Sequence, residues 1–266
     1  MGSPNQPQTP TMILAMAQMR VIGGDLRGNL IRAGRAVGEA AAGGADIVVL
    51  PEAMDLGWTH HSAAELAEPI PDGATFEYLA GLAEDHAIYV CAGISERDGE
   101  RLFNTAVLID RCGKLLIKHR KINELDFAKR IYSTGDGTQV ATTEFGTVGV
   151  MVCADAFIED HSISRELGEK KARLILSPCA WAVPPDHDNE RHPYGQLWID
   201  SYGPVASEFG LWIAGVSNVG KIRSGEWAGH HCIGSSMLVA PGGDIAARAP
   251  FGRDAESLLM VEIPRA

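Results

Sequence analysis

What this chain lacks narrows its role before any residue is interpreted. No apolar stretch reaches the ~20 residues that a membrane helix requires, and the start, Met1 to Pro10, is polar and proline-bearing without a basic-then-apolar signal pattern. A cytoplasmic protein with no membrane contact is the expectation. No long run of Lys and Arg occurs and the formal net charge is −11, so nucleic acid and anionic lipid, which bind clustered cations, are not expected partners. The cysteines Cys91, Cys112, Cys153, Cys179 and Cys232 are odd in number, widely spaced and free of any C-x-x-C pairing. That argues against both a disulfide framework and a zinc site. Internal repeats, low-complexity segments and linkers are missing too, which predicts one domain over residues 11–266 behind a disordered polar tail, 1–10.

What is present reads as an ordinary packed protein. Apolar residues make up 45% of the 266 and charged residues 21%, enough for a sizeable core. Met12 to Met19 has the pattern of a strand, and Asn29 to Ala42 is alanine-rich at helical spacing up to Gly43-Gly44. Ala45 to Leu50 is a second buried strand that runs into Pro51-Glu52. Strands are predicted again at Ile88–Ile94, Phe103–Ile109, Lys114–His119, Thr138–Thr143, Val148–Val152, Ala172–Leu176 and Leu211–Val216, with closing candidates at Ile233–Val239, Gly243–Arg248 and Ser257–Ile263. Helices are predicted at Gly73–His86, Ser162–Lys171 and Tyr194–Phe209. Strands alternating with helices make this an α/β chain.

In such chains chemistry collects where strands end. Cys153 follows the apolar run Val148 to Val152 and opens the polar segment Cys153-Ala154-Asp155, a place for a nucleophile, although a single cysteine is as readily a packed core residue. Glu52 follows Ile47 to Leu50, and Lys121 follows Leu115 to His119. Read singly, both are solvated charges beside strand ends. Brought together, a carboxylate, an ammonium and a thiol make a covalent catalyst: the carboxylate takes the thiol proton, and the cation stabilises thiolate and then oxyanion. Spacing alone does not make the three converge.

The stretches Val48-Val49-Leu50-Pro51-Glu52, Phe103-Asn104-Thr105-Ala106, His119-Arg120-Lys121-Ile122, Gly149-Val150-Met151-Val152-Cys153-Ala154-Asp155 and Asn218-Val219-Gly220, with Gly234-Ser235-Ser236 and Pro241-Gly242-Gly243, resemble the nitrilase superfamily of carbon-nitrogen hydrolases. They come in that family's order and span nearly the whole chain. The resemblance implies a four-layer αββα sandwich, a homodimer or higher homo-oligomer, and a Glu-Lys-Cys triad needing neither metal nor organic cofactor. Carried over by position, Glu52 is the general base, Lys121 the cation at the tetrahedral intermediate, Cys153 the nucleophile, and the Ala154 N–H a second oxyanion donor. The family's second glutamate has no direct counterpart. Extension from Lys121 puts Ala128 near its place, which leaves Glu124 as the nearest carboxylate to substitute.

Family members that hydrolyse nitriles tend to carry Cys-Trp-Glu at the nucleophile, whereas amide-hydrolysing branches have a small or aromatic residue and then Asp. Cys153-Ala154-Asp155 points to a small-molecule amide, cleaved through a thioester. Nitriles, N-carbamoyl amines and a catalytically silent partner-binding form are the alternatives. Trp181, after the Ala172–Leu176 strand, and Trp58, His60 and His61, after Glu52, are candidates to line a pocket. Pro184 to His192 is rich in ligand atoms but has no period that would aim them at one ion.

Overall fold

The computed structural model describes residues 10–265; the tail expected over 1–10 therefore lies, except for Pro10, outside the described residues. In chain order the strands are β1 Thr11–Gln18, β2 Ile47–Val49, β3 Tyr89–Asp98, β4 Arg101–Ile109, β5 Leu115–Arg120, β6 Val140–Thr143, β7 Gly146–Val150, β8 Leu174–Cys179, β9 Ala182–Val183, β10 Trp212–Ser217, β11 Val219–Lys221, β12 His231–Ile233, β13 Met237–Val239, β14 Ile245–Arg248 and β15 Ser257–Pro264. The helices are α1 Leu26–Ala42, α2 Ala63–Leu66, α3 Ala74–Asp85, α4 Ser162–Glu169 and α5 Gln196–Phe209. Among the described residues no helix is long and apolar enough to cross a membrane.

Two six-stranded sheets form, in the orders β15-β1-β2-β3-β4-β5 and β14-β13-β10-β8-β7-β6. Because successive side chains of a strand face opposite ways, each sheet has two apolar faces to cover. In β1, Met12, Leu14 and Met16 share a core with Val148, Val150, Leu174 and Leu176 of the second sheet. The alternate residues Ala15 and Ala17 pack instead with Ala33 and Val37 of α1 and Phe76 and Leu79 of α3. On the far side of the second sheet, Ile175 and Ile213 pack with Leu167 of α4 and Trp198 and Tyr202 of α5. Helices, sheet, sheet, helices is the four-layer αββα sandwich that the resemblance implied.

The helices start and stop where their sequences say. Asp25 caps α1 by accepting the Gly28 N–H, residues 29, 33, 37 and 40 put its buried stripe on one face, and Gly44, at φ +82, turns the chain out of it. At the other end of the chain, β15 pairs antiparallel with the whole length of β1, from Thr11 with Pro264 to Gln18 with Ser257.

Strand direction places the site. β2 runs parallel to β3, β4 reverses and β5 reverses again, so β2 and β5 finish at the same end of their sheet. The expected strand over Ile233–Val239 is split in two. Gly234 and Ser235 both sit at φ +62 and carry the chain from β12, in a small sheet β11-β12-β9, to β13 in the large one. Gly234 is needed there, since a Cβ would fall 2.1 Å from the Gln18 side chain.

Candidate active site

Glu52 is delivered by the turn that ends β2. Leu50 still bonds across to Cys91 at 2.7 Å, Pro51 has no N–H to continue the ladder, and the Glu52 N–H reaches Cys179 O of β8 at 3.2 Å. The turn lies hard against β3: a Cβ on Gly93 would be 2.6 Å from the Glu52 Cα, so only glycine fits. The Glu52 carboxylate is buried, 1% exposed, and its Oε1 accepts from Lys121 Nζ at 2.7 Å and from Asn104 Nδ2 at 2.6 Å. An acceptor-only carboxylate fixes which way the Asn104 amide faces.

Lys121 follows β5 directly. Its N–H donates to Asn104 O at 2.8 Å and its carbonyl accepts the Gly135 N–H at 2.9 Å, so its backbone is tied on both sides. The ammonium is as buried as its partner. Nζ lies 3.6 Å from Glu124 Oε2 and 5.6 Å from the centre of the Trp58 ring. Burial disfavours the charge, but Glu124, Glu52 and Cys153 outweigh it and hold the lysine proton well above its ordinary range. Glu124 has the opposite fate. Burial pushes its carboxyl up to about 7; Lys121 opposes that shift, while Glu52 and Asp155 reinforce it.

Cys153 starts a short 3-10 helix, Cys153–Phe157, just past the end of β7. Its φ of +44 is strained for a residue with a side chain. The strain is held by Asp155, fully buried, whose Oδ2 accepts the Val152 N–H at 2.9 Å and meets His119 Nε2 at 2.8 Å, while Oδ1 accepts the N–H groups of Ile122 and Asn123 at 3.0 and 2.8 Å. The thiol is pushed well above the ordinary cysteine range, chiefly by burial, then by the neighbouring Cys179 and the Glu52 carboxylate, with Lys121 pulling the other way. It therefore keeps its proton at neutral pH. The Ala154 N–H lies in the first turn of the helix, where backbone donors lack an intrahelical partner.

Glu52, Lys121, Cys153, Ala154 and Trp181, all singled out from the sequence, line one cavity of about 190 Å³. Glu124 is not in the lining and sits beside Lys121. Trp58 lines the cavity as well, but His60 and His61 do not: the His60 ring lies over Gly23 and Gly24 and bonds Ser62 Oγ at 2.8 Å. All five cysteines are free thiols. Among the described residues, no group of three or more His, Cys, Asp or Glu side chains is arranged to hold a metal ion.

Residues 13–266 match the profile of the family described as carbon-nitrogen hydrolase. The chain belongs to that family. This carbon-nitrogen hydrolase is 32% identical over 225 residues to a nitrilase of Pyrococcus abyssi, covering 83% of this chain and 78% of the relative. It is 31% identical over 251 residues to an omega-amidase of Xenopus laevis, covering 88% and 82%. Its fold matches a branch 10 member of the nitrilase superfamily from Saccharomyces cerevisiae with a TM-score of 0.81 at 23% identity, over 96% of this chain and 90% of the other. An amidase from Nesterenkonia sp. matches with a TM-score of 0.80 at 22% identity, over the same shares. A mutant of that amidase carries acrylamide added to its active-site cysteine.

A protonated thiol beside a carboxylate and an ammonium suits attack on a carbonyl, because the proton can leave as the sulfur–carbon bond forms and the oxyanion has a cation at hand. The carbon-nitrogen hydrolase site also uses two groups to which the sequence reading gave no role. Asn104 braces Glu52; its signal was an amide in the middle of the apolar strand β4. Asp155 braces both Cys153 and Lys121; its signal was a carboxylate just past the apolar run Val148 to Val152.

Proposed function

We propose that this carbon-nitrogen hydrolase cleaves a small amide through a thioester on Cys153. As Sγ attacks the carbonyl carbon, its proton passes to Glu52. The carbonyl oxygen becomes an oxyanion held by Lys121 Nζ and the Ala154 N–H. Collapse breaks the carbon–nitrogen bond, and Glu52 returns the proton to the departing amine or ammonia. Water then attacks the thioester and gives a proton to Glu52; the carbon–sulfur bond breaks, the acid leaves, and the thiolate takes that proton back. Glu124, whose Oε2 lies 3.6 Å from Lys121 Nζ, is the second carboxylate of this site and keeps the ammonium aimed at the cavity.

One observation carries the reading: the buried Glu52–Lys121 pair opens into the same cavity as Cys153. A buried ion pair of this kind is costly to keep for stability alone, and a thiol that retains its proton needs a base within reach. The residues after the nucleophile, Ala154 and Asp155, favour an amide over a nitrile. Ammonia release from a panel of short amides, nitriles and carbamoyl amines tests the proposal. Turnover of amides that is lost in Cys153→Ala and nearly lost in Cys153→Ser is expected. Turnover that survives in Cys153→Ala contradicts it.

A further inference from the structure

The cavity beside Cys153 restricts the acyl group, an inference that rests on the amidase reading. Six aromatic side chains wall it: Trp58, Phe157, Trp181, Tyr194, Trp198 and Trp227. Trp181 and Trp198 stack at 4.5 Å, and Trp58 and Trp227 meet edge to face at 5.3 Å, so the walls brace one another. Leu125, Leu197, Ala180 and Ala182 add to the apolar lining. Among the described residues, the charged groups of the lining are Glu52 and Lys121, and they are bonded to each other at 2.7 Å.

The cation of the lining is already taken up by carboxylates. The one ammonium is flanked by Glu52 and Glu124. Three cations, Lys129, Arg130 and Arg248, are committed elsewhere. Lys129 is held by Asp126 at 2.8 Å and Arg130 by Glu226 at 2.7 Å. Arg248 donates to the Tyr194 carbonyl and to Ser235 Oγ. A second carboxylate on the substrate would lose its water, find in the lining only a cation already paired, and face the Glu52 carboxylate. An alkyl or aryl group would cover aromatic carbon instead, and in such a pocket each added methylene is worth about tenfold or more in kcat/KM. The volume is that of about six waters, room for a small acyl group.

We infer that this site takes amides of small, uncharged, apolar acyl groups and discriminates against amides that carry a second carboxylate. The test is an isosteric pair, 4-methylpentanamide and succinamate, in which a terminal isopropyl group replaces a carboxylate, with 3-(dimethylamino)propanamide as the cationic member. The expected kcat/KM ratio of 4-methylpentanamide to succinamate is at least about 100. Leu197→Arg, at a half-exposed position on the first turn of α5, supplies the missing cation, and the ratio is expected to narrow by about tenfold. Calorimetric binding of the same three amides to Cys153→Ala reads the preference without turnover. Loss of all turnover overturns the amidase reading; a chain that turns over or binds succinamate or the cationic amide as well as 4-methylpentanamide overturns this one.

Discussion

Asp155 and His119 form a fully buried pair, Oδ2 to Nε2 at 2.8 Å. The same carboxylate takes backbone N–H groups from the nucleophile turn and from the two residues after Lys121. One side chain thus joins the end of β7 to the end of β5, and with them the thiol to the ammonium. Asp155→Asn replaces one acceptor oxygen with an NH₂ that must face donors, and the expected loss of stability is about 3 kcal/mol, read from urea unfolding. kcat should fall together with stability, since both tethers loosen. Burial raises the Asp155 pKa, but His119 and the backbone donors more than offset it and leave the carboxyl below its ordinary 3.8. Its contribution is therefore present above pH 3.8 and is lost as the pH drops through the lower folded-state value.

Asn104 is the second donor to Glu52, at 2.6 Å beside the 2.7 Å bond from Lys121. Asn104→Ala leaves the carboxylate oriented by the lysine alone. A hydrogen bond to a buried charge is worth enough that kcat/KM is expected to fall about 10- to 100-fold. Steady-state kinetics on the best amide of the panel measure it, and Asn104→Asp should be worse still, because it sets two carboxylates against each other.

Glu124 gives a pH signature. Burial pushes its carboxyl from 4.5 up to about 7 in the folded chain, so between those values the folded state holds a proton that the unfolded state has released. Stability accordingly falls as pH rises from 4.5 to 7, by about 3 kcal/mol if the full shift is realised. Glu124→Gln should flatten this part of the stability profile, measured by urea unfolding at pH 5 and pH 8. An unchanged slope in the variant would place the titration on another group.

Much of this arrangement was legible in the sequence because it is written in strand ends. Ile47 to Leu50 and Val148 to Val152 are apolar runs, Leu115 to His119 begins as one, and the structure puts Glu52, Lys121 and Cys153 after β2, β5 and β7. The small sheet β11-β12-β9 was not readable. Its strands are two or three residues long, too short for any period, and the break at Gly234 and Ser235 depends on how closely Gln18 approaches. The aromatic cavity was only partly foreseen, since Phe157, Tyr194, Trp198 and Trp227 come from segments that meet only once both sheets are packed. Asn104 was hidden for a different reason: a polar residue inside a strand marks a site only when its partner is known.

The most direct measurement is intact-mass spectrometry of the protein quenched during turnover of an amide, followed by peptide mapping. A mass increase equal to the acyl group, on Cys153 and absent from Cys153→Ala, is the predicted result. Turnover that proceeds with no such adduct, or with the label on exposed Cys112 rather than Cys153, would contradict a thioester mechanism at this site.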